Sequence, residues 1–290
     1  LKACGSVDDI ELGRTMHSHI LQVGLVVDIS IANALISMYA KCANLDEASY
    51  LFEKVCDRNI VSWGAMISGY IQHGRHAYAL HLFMRMQDED IKTDVVMLAS
   101  LLKACGSIRA VHQGRLIHDQ VLRGNLQSDV VIGNSLITMY ANCGIVSEAH
   151  AVFANMLNRN LISWGTILAT LIEEGDAIHA LFLIDKLQEE GIAFDQAIWL
   201  TAVQACGILG SIRKMRLVHE QIKGTIFKND LVIGNALINM YSKTSCLDDA
   251  RSVFKRLKKI NNVVTWSALI TGYAQNGHGK EVLKLFIQMQ

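Results

Sequence analysis

The sequence predicts an all-α chain, a solenoid of stacked antiparallel helical hairpins, on three observations. First, whole phrases recur at a spacing of 101 residues: Cys4, Cys105 and Cys206; Asn33, Asn134 and Asn235; Phe52, Phe153 and Phe254. The tryptophans keep the same step from Trp63 to Trp164 and one residue more to Trp266, which places a single insertion between Phe254 and Trp266. Second, apolar residues recur at i, i+3, i+4 and i+7, as in Ala48, Leu51, Phe52 and Val55, which marks one face of a helix. Third, no stretch alternates polar and apolar residues between turn signals as strands do. A fixed period this long is the mark of an array whose units cannot bury their apolar faces alone.

Each long period divides into three hairpins. The first of these carries Leu35, Ile36, Met38 and Tyr39 on one helix, a turn over Lys41 to Asn44, and a second helix whose first turn holds Asp46 and Glu47, acids that suit the positive end of a helix dipole. The second runs from Trp63 through Tyr70 to Ala79, Leu82, Phe83 and Met86, and the third from Leu98 through Cys105 to Leu116, Ile117 and Val121. Gly24, Gly124, Gly191 and Gly224 are expected to stop helices, because the chain has no proline at all. The expected unit boundaries are 1–28 (partial), 29–59, 60–94, 95–129, 130–160, 161–195, 196–230, 231–262 and 263–290 (partial), so unit lengths cycle through 31, 35 and 35 residues.

Composition narrows the functional classes. Hydrophobic residues make up 51% of the chain and the formal charge is zero, with 27 basic and 27 acidic residues, so the strongly basic balance of many nucleic-acid binders is absent. The mean hydropathy of +0.26 reflects hairpins buried on both sides, since no apolar run reaches the 18 or so residues of a spanning helix, and a soluble chain is expected. The seven cysteines form no C-x-x-C pair and five of them sit at repeat positions, which reads as packing cysteines in a reducing compartment. Leu1 and Gln290 both fall inside a repeat, so an internal fragment of a longer protein is expected.

The repeated phrases then identify a resemblance. NALISMYAKCANLDEASYLF from Asn33, NSLITMYANCGIVSEAHAVF from Asn134 and NALINMYSKTSCLDDARSVF from Asn235 resemble the short motif of the plant pentatricopeptide repeat proteins, in the subclass that alternates standard, long and short motifs. VSWGAMISGYIQHG from Val61, ISWGTILATLIEEG from Ile162 and VTWSALITGYAQNG from Val264 resemble the standard-length motif, and LLKACGS from Leu101 with GRLIH from Gly114 the long one. The tetratricopeptide repeat is close in length, but its aromatic and glycine signature does not fit.

The resemblance implies a right-handed superhelix that holds single-stranded RNA, one base per unit, read by the fifth residue of the unit's first helix and by the unit's last residue. Carried over, the base-reading pairs of the short units are Asn33 with Asn59, Asn134 with Asn160, and Asn235 with Asn262. Those of the standard units are Gly64 with Asp94 and Gly165 with Asp195, while Ser267 lacks its partner. The long units pair Ala99 with Asp129 and Leu200 with Asp230, apolar first residues that can pack on a base without hydrogen bonding to it. Val61, Val131, Ile162, Val232 and Val264 fall where the family wedges a side chain between bases. A carboxamide both donates and accepts whereas a carboxylate only accepts, so Asn in last place suits cytosine N3 and Asp suits the uracil N3 hydrogen. Family members also carry proline just before the terminal Asp of standard units; Thr93 and Phe194 stand there instead.

Several other patterns have structural readings. Arg14, Arg115 and Arg216 each precede a histidine by three residues (His17, His118, His219), but single ligands one long period apart cannot share a metal, so these histidines are expected to pack. The tryptophans lie i, i+4 from Ile67, Leu168 and Ile270 and are expected between helices rather than under bases. No H-E-x-x-H, P-loop, nucleophile elbow or zinc-deaminase signature occurs, so no catalytic residue, metal or cofactor is expected. The resemblance implies single-stranded organellar RNA as partner, rather than DNA or a membrane, in mitochondrion or chloroplast. It further implies site recognition for cytidine-to-uridine editing, with editing-complex proteins acting through a C-terminal region beyond Gln290. Transcript stabilisation or splicing, and a protein-binding helical scaffold, are the alternatives.

Overall fold

The computed structural model describes residues 1–7, 9–24, 28–257 and 262–289. The chain forms two compact units, Leu1–Arg159 and Asn160–Gln290. In the first, helices pair in order: α1 (Lys2–Val7) with α2 (Ile10–Gln22), α3 (Ile29–Lys41) with α4 (Leu45–Lys54), α5 (Ile60–Gln72) with α6 (His76–Asp88), α7 (Val95–Ser107) with α8 (Val111–Arg123), and α9 (Val130–Asn142) with α10 (Val146–Asn155). In the second, α11 (Leu161–Glu173) pairs with α12 (Ala177–Glu189), α13 (Gln196–Ile208) with α14 (Ile212–Lys223), α15 (Leu231–Lys243) with α16 (Leu247–Leu257), and α17 (Val263–Gln275) with α18 (Gly279–Met289). A 3₁₀ turn, Ile226–Asn229, precedes α15, and the described residues contain no strand. No helix among them is long and apolar enough to cross a membrane.

Local chemistry sets these bounds. Each first helix from α3 to α17 opens on an Asp or Asn whose side chain accepts from first-turn amides, groups that have no partner inside the helix. Each of these helices closes in a Schellman turn: the residue two past the last turn donates back across it, as in Arg75 N to Tyr70 O at 2.8 Å and Ile145 N to Tyr140 O at 2.9 Å. The left-handed position of that turn is glycine at Gly74, Gly144, Gly175, Gly210 and Gly277, but Ala43, Arg109 and Ser245 in the other hairpins. Of the glycines expected to stop helices, Gly24 and Gly191 adopt positive φ; Gly124 and Gly224 are ordinary right-handed helix ends, and Asn125 takes the left-handed place after Gly124.

Within each unit the first helices pack side by side (α3, α5, α7 and α9; α11, α13, α15 and α17) and the second helices form the other layer. The interior holds the repeated apolar stripe, with Phe52, Trp63, Trp164, Leu237 and Ile238 among the fully buried residues. The rings of Phe52 and Trp63 meet edge to face at 4.8 Å, and those of Phe254 and Trp266 at 4.6 Å. Successive second helices are tied by exposed ion pairs at matching places: Arg14 with Glu47, Arg115 with Glu148, and Arg216 with Asp249. Such pairs contribute little each, at most about 1 kcal/mol.

Candidate nucleic-acid interface

The predicted last residues are all helix caps. Asn59 Oδ1 accepts from Val61 N at 3.0 Å and Ser62 N at 3.2 Å, Asp94 Oδ1 from Met97 N at 2.8 Å, and Asp129 Oδ1 from Val131 N at 2.8 Å. In the second unit Asn160, Asp195, Asp230 and Asn262 cap through Oδ1 in the same manner, each accepting from the amide three residues on at 2.9 to 3.0 Å. Capping occupies one oxygen. A capped Asp has a second acceptor left, Oδ2; a capped Asn has a donor left, the Nδ2 amide. At Asp230 the remaining oxygen is met by Gln196 Nε2 at 2.7 Å.

The fifth residues sit on the first helix of the hairpin before each cap. Asn33 is buried, and its polar atoms have protein partners: Nδ2 donates to Asn59 Oδ1 at 3.3 Å and Oδ1 accepts from the Ser62 hydroxyl at 2.6 Å. Gly64, Ala99, Gly165, Leu200, Asn134 and Asn235 are half-buried, and Ser267 is exposed. Asn235 Oδ1 is buried with no protein partner. An added Cβ at Gly165 would meet nothing within 4 Å, and at Gly64 only Met97 Cε at 3.5 Å, so both glycines leave open space.

In the first unit the structure brings several of these positions into one groove of about 410 Å³ across α3, α5 and α7. Asn33, Val61, Gly64 and Asp94 line it, and Lys41 adds a positive charge. The second residues of the first helices stand open: Val61, Val131, Ile162, Val232 and Val264 are 50–65% exposed. Sequence reasoning passed over the large apolar side chain at the same place in α7, where α3 and α13 carry the small Ser30 and Ala197. Val96, 73% exposed and lining the same groove, holds the second position of α7; its phase in the helix is the same as theirs, and that phase is the signal that finds it.

The remaining repeated polar residues are structural. His17, His118 and His219 place Nδ1 at 2.9, 2.9 and 3.0 Å from the hydroxyls of Tyr39, Tyr140 and Tyr241. At His219 the Arg256 guanidinium lies 2.9 Å from Nε2; arginine can only donate, so Nε2 accepts and Nδ1–H donates to Tyr241. Burial first, and the Arg256 charge second, push His219 down to about 4, while burial lowers His17 and His118. Burial pushes the Cys105 thiol up to about 12, which suits packing and not nucleophilic chemistry. Among the described residues no group of three or more His, Cys, Asp or Glu is placed to hold a metal ion.

The PPR repeat pattern matches residues 30–60, 61–91, 134–161, 235–262 and 264–290. The chain belongs to the pentatricopeptide repeat family. Among similar proteins of Arabidopsis thaliana, a chloroplastic pentatricopeptide repeat-containing protein is 31% identical over 290 residues, all of this chain and 36% of its own length. A mitochondrial one is 32% identical over 289 residues, again all of this chain and 28% of its own. A third, 32% identical, is covered over 53% of its length, so this chain spans between about a quarter and a half of these relatives. The crystal structure of the pentatricopeptide repeat protein PPR10 in complex with an 18-nucleotide psaJ RNA element superposes with a TM-score of 0.72 at 17% identity, over 96% of this chain and 42% of that one. That likeness establishes the solenoid fold.

Proposed function

We propose that this chain binds single-stranded RNA by sequence, one base per hairpin unit, as the site-recognition part of an organellar RNA-processing factor, most specifically in cytidine-to-uridine editing. The observation that carries the proposal is the groove across α3, α5 and α7, where a fifth residue (Asn33), open β-branched side chains (Val61, Val96) and a capping carboxylate (Asp94) meet. The units are 29–59, 60–94 and 95–129 in the first compact body and 161–195, 196–230 and 231–262 in the second, while unit 130–160 has its last residue, Asn160, as the first residue of the second body. PPR10, bound to RNA in its crystal structure, supports the class of ligand, and the chloroplastic and mitochondrial relatives support an organellar setting.

The base preference rests on the atoms that capping leaves over. Asn59 and Asn262, with Oδ1 held by helix amides, turn a donor towards a base and select the cytosine N3 acceptor. Asp94, Asp129 and Asp195 offer an acceptor to uracil N3–H. Gly64 and Gly165 bring no polar atom and Ala99 and Leu200 only an apolar one, so discrimination there rests on the last residue alone. Exposed aliphatic side chains flanking each position pack on base faces, as single-strand binders use apolar platforms. Reading and editing are separable tasks: recognition needs these grooves, while deamination needs a zinc-bound water and a general acid/base glutamate supplied elsewhere.

The test is selection from randomised single-stranded RNA at low salt. Cytidine should be enriched opposite the Asn-paired units, with weak choice opposite the apolar ones, and duplex DNA should not compete. Failure to bind any RNA, together with retention of a protein partner, would favour the helical scaffold to which the zero net charge lends some weight.

A further inference from the structure

The capping residues divide by the residue three positions after them. Behind the carboxamide caps Asn59, Asn160 and Asn262 come Ser62, Ser163 and Thr265, hydroxyl residues with no solvent exposure at all. Behind the carboxylate caps Asp94, Asp129, Asp195 and Asp230 come Met97, Ile132, Ile198 and Ile233, buried and apolar. Both kinds of residue occupy the same place in the first turn of a first helix; at Ser62 and Ser163 the hydroxyl also accepts from the cap's own N–H at 3.3 and 3.2 Å and completes a capping box, whereas the apolar residues make no such bond.

At Asn59 the hydroxyl closes a ring. Ser62 Oγ donates to Asn33 Oδ1 at 2.6 Å, Asn33 Nδ2 donates to Asn59 Oδ1 at 3.3 Å, and Asn59 N donates to Ser62 Oγ at 3.3 Å. Every acceptor of the two asparagine side chains is thereby turned inwards. Ser62 Oγ also lies 3.3 Å from Asn59 Oδ1, and in the second unit the matching contact is shorter: Ser163 Oγ donates to Asn160 Oδ1 at 3.0 Å and Thr265 Oγ1 to Asn262 Oδ1 at 3.1 Å.

We propose that Ser62, Ser163 and Thr265 are positioning residues that set base choice at the carboxamide-capped units, a role that presupposes RNA reading by these units. A carboxamide has two unlike ends. Rotated by half a turn, it would press Nδ2 hydrogens against first-turn N–H donors, leaving those donors unpaired at a cost, and would take away the oxygen that accepts from Asn33 Nδ2 at Asn59 and from the buried hydroxyls at Asn160 and Asn262. The hydroxyl therefore adds to the preference for Oδ1 inwards and holds the donor end outwards. A carboxylate is unchanged by the same rotation and gains nothing from an orienting hydroxyl, which is why an aliphatic side chain suffices behind each aspartate.

The experiment compares wild type, Ser62→Ala, Ser62→Val and Ser62→Thr by selection from randomised single-stranded RNA, with melting temperature measured alongside. Cytidine preference at the one nucleotide facing Asn33 and Asn59 should fall about two- to tenfold in the Ala and Val variants, on the scale of one hydrogen bond, with other nucleotides unchanged. Ser62→Thr should keep the preference, since Thr265 already fills the matching place in the second unit. If the Ala variant does not fold, Val and Thr, equal in shape and differing in the hydroxyl, decide the matter. In an Asn59→Asp background, Ser62→Ala should leave base choice untouched. Unchanged preference in Ser62→Ala and Ser62→Val with a lowered melting temperature would overturn the proposal and leave the hydroxyl a purely structural cap. Wild type without base preference at any nucleotide would instead sink the RNA reading, and this role with it.

Discussion

Two junctions in the first unit do the same structural task with different chemistry. At Asn59 a carboxamide caps α5, and at Asp94 a carboxylate caps α7; each accepts from the amide three residues on, at 3.2 and 2.8 Å. For the helix the two are interchangeable, because a first-turn N–H asks only for an acceptor. For a ligand they would be opposites, since the capped carboxamide keeps a donor and the capped carboxylate an acceptor. The difference shows how a repeat can hold its backbone constant while its surface varies: the fold uses one atom of the side chain and leaves the other to be chosen.

The largest effect expected tests what stands behind each junction. Trp63→Ala, which empties the edge-to-face contact with Phe52, should cost about 3–5 kcal/mol, and Leu98→Ala behind the other junction about 2–5 kcal/mol, both read by denaturant unfolding. A loss well under 1 kcal/mol at Trp63 would mean that the aromatic pair is not part of the core.

A second measurement concerns the junctions where a His–Tyr pair joins the second helix of one hairpin to the first helix of the next. The folded state holds His219 neutral, so the unfolded chain binds more protons than the folded one at mildly acid pH. The stability is fully present above the unfolded value of 6.5 and is lost as pH falls towards about 4, with Arg256 and Lys223 opposing protonation and Glu220 and Asp249 favouring it. The melting temperature should drop over that window, and His219→Gln should flatten the drop. A melting temperature independent of pH between those values would contradict the buried neutral histidine.

Smaller effects sharpen the comparison directly. Asn59→Ala and Asp94→Ala should each lose about 0.5–2 kcal/mol, and by similar amounts, because capping is common to both. Clearly unequal losses would show that the two caps are not equivalent. Gly64→Ser places a hydroxyl where only Met97 Cε lies nearby, at 3.5 Å, and should raise base discrimination at the unit it shares with Asp94 in an RNA selection.

Much of the fold was legible because the array states its pattern three times. Phase alone located the hairpins, and the buried Trp63 and Trp164 lie between helices as their i, i+4 partners required. Turn chemistry was less legible: the sequence advertises glycine, yet Ala43, Arg109 and Ser245 also take the left-handed place, a backbone demand that repetition of position reveals and residue type conceals. The histidines were seen but their partners were not, although Tyr39, Tyr140 and Tyr241 stand at one fixed spacing from them. At the candidate site the sequence proposed residues for base contact and withheld their place in the helix framework. That Asn59 and Asp94 are helix caps depends on where helices start to within one residue, and that Asn33 has partners in Asn59 and Ser62 depends on how neighbouring hairpins stack.

The most direct test of the account exchanges the junction chemistry at one place. Asn59→Asp keeps the acceptor that caps α5 and replaces the outward donor by an acceptor, so folding should be nearly unchanged while base choice moves. In a selection from randomised single-stranded RNA, preference at the nucleotide facing Asn33 and residue 59 should shift from cytidine towards uridine by about five- to a hundredfold, the scale of roughly 1–3 kcal/mol for one base contact, with neighbouring nucleotides unaffected. A variant that folds and binds RNA as wild type does, with no shift at any nucleotide, would contradict the claim that the capping residues read bases.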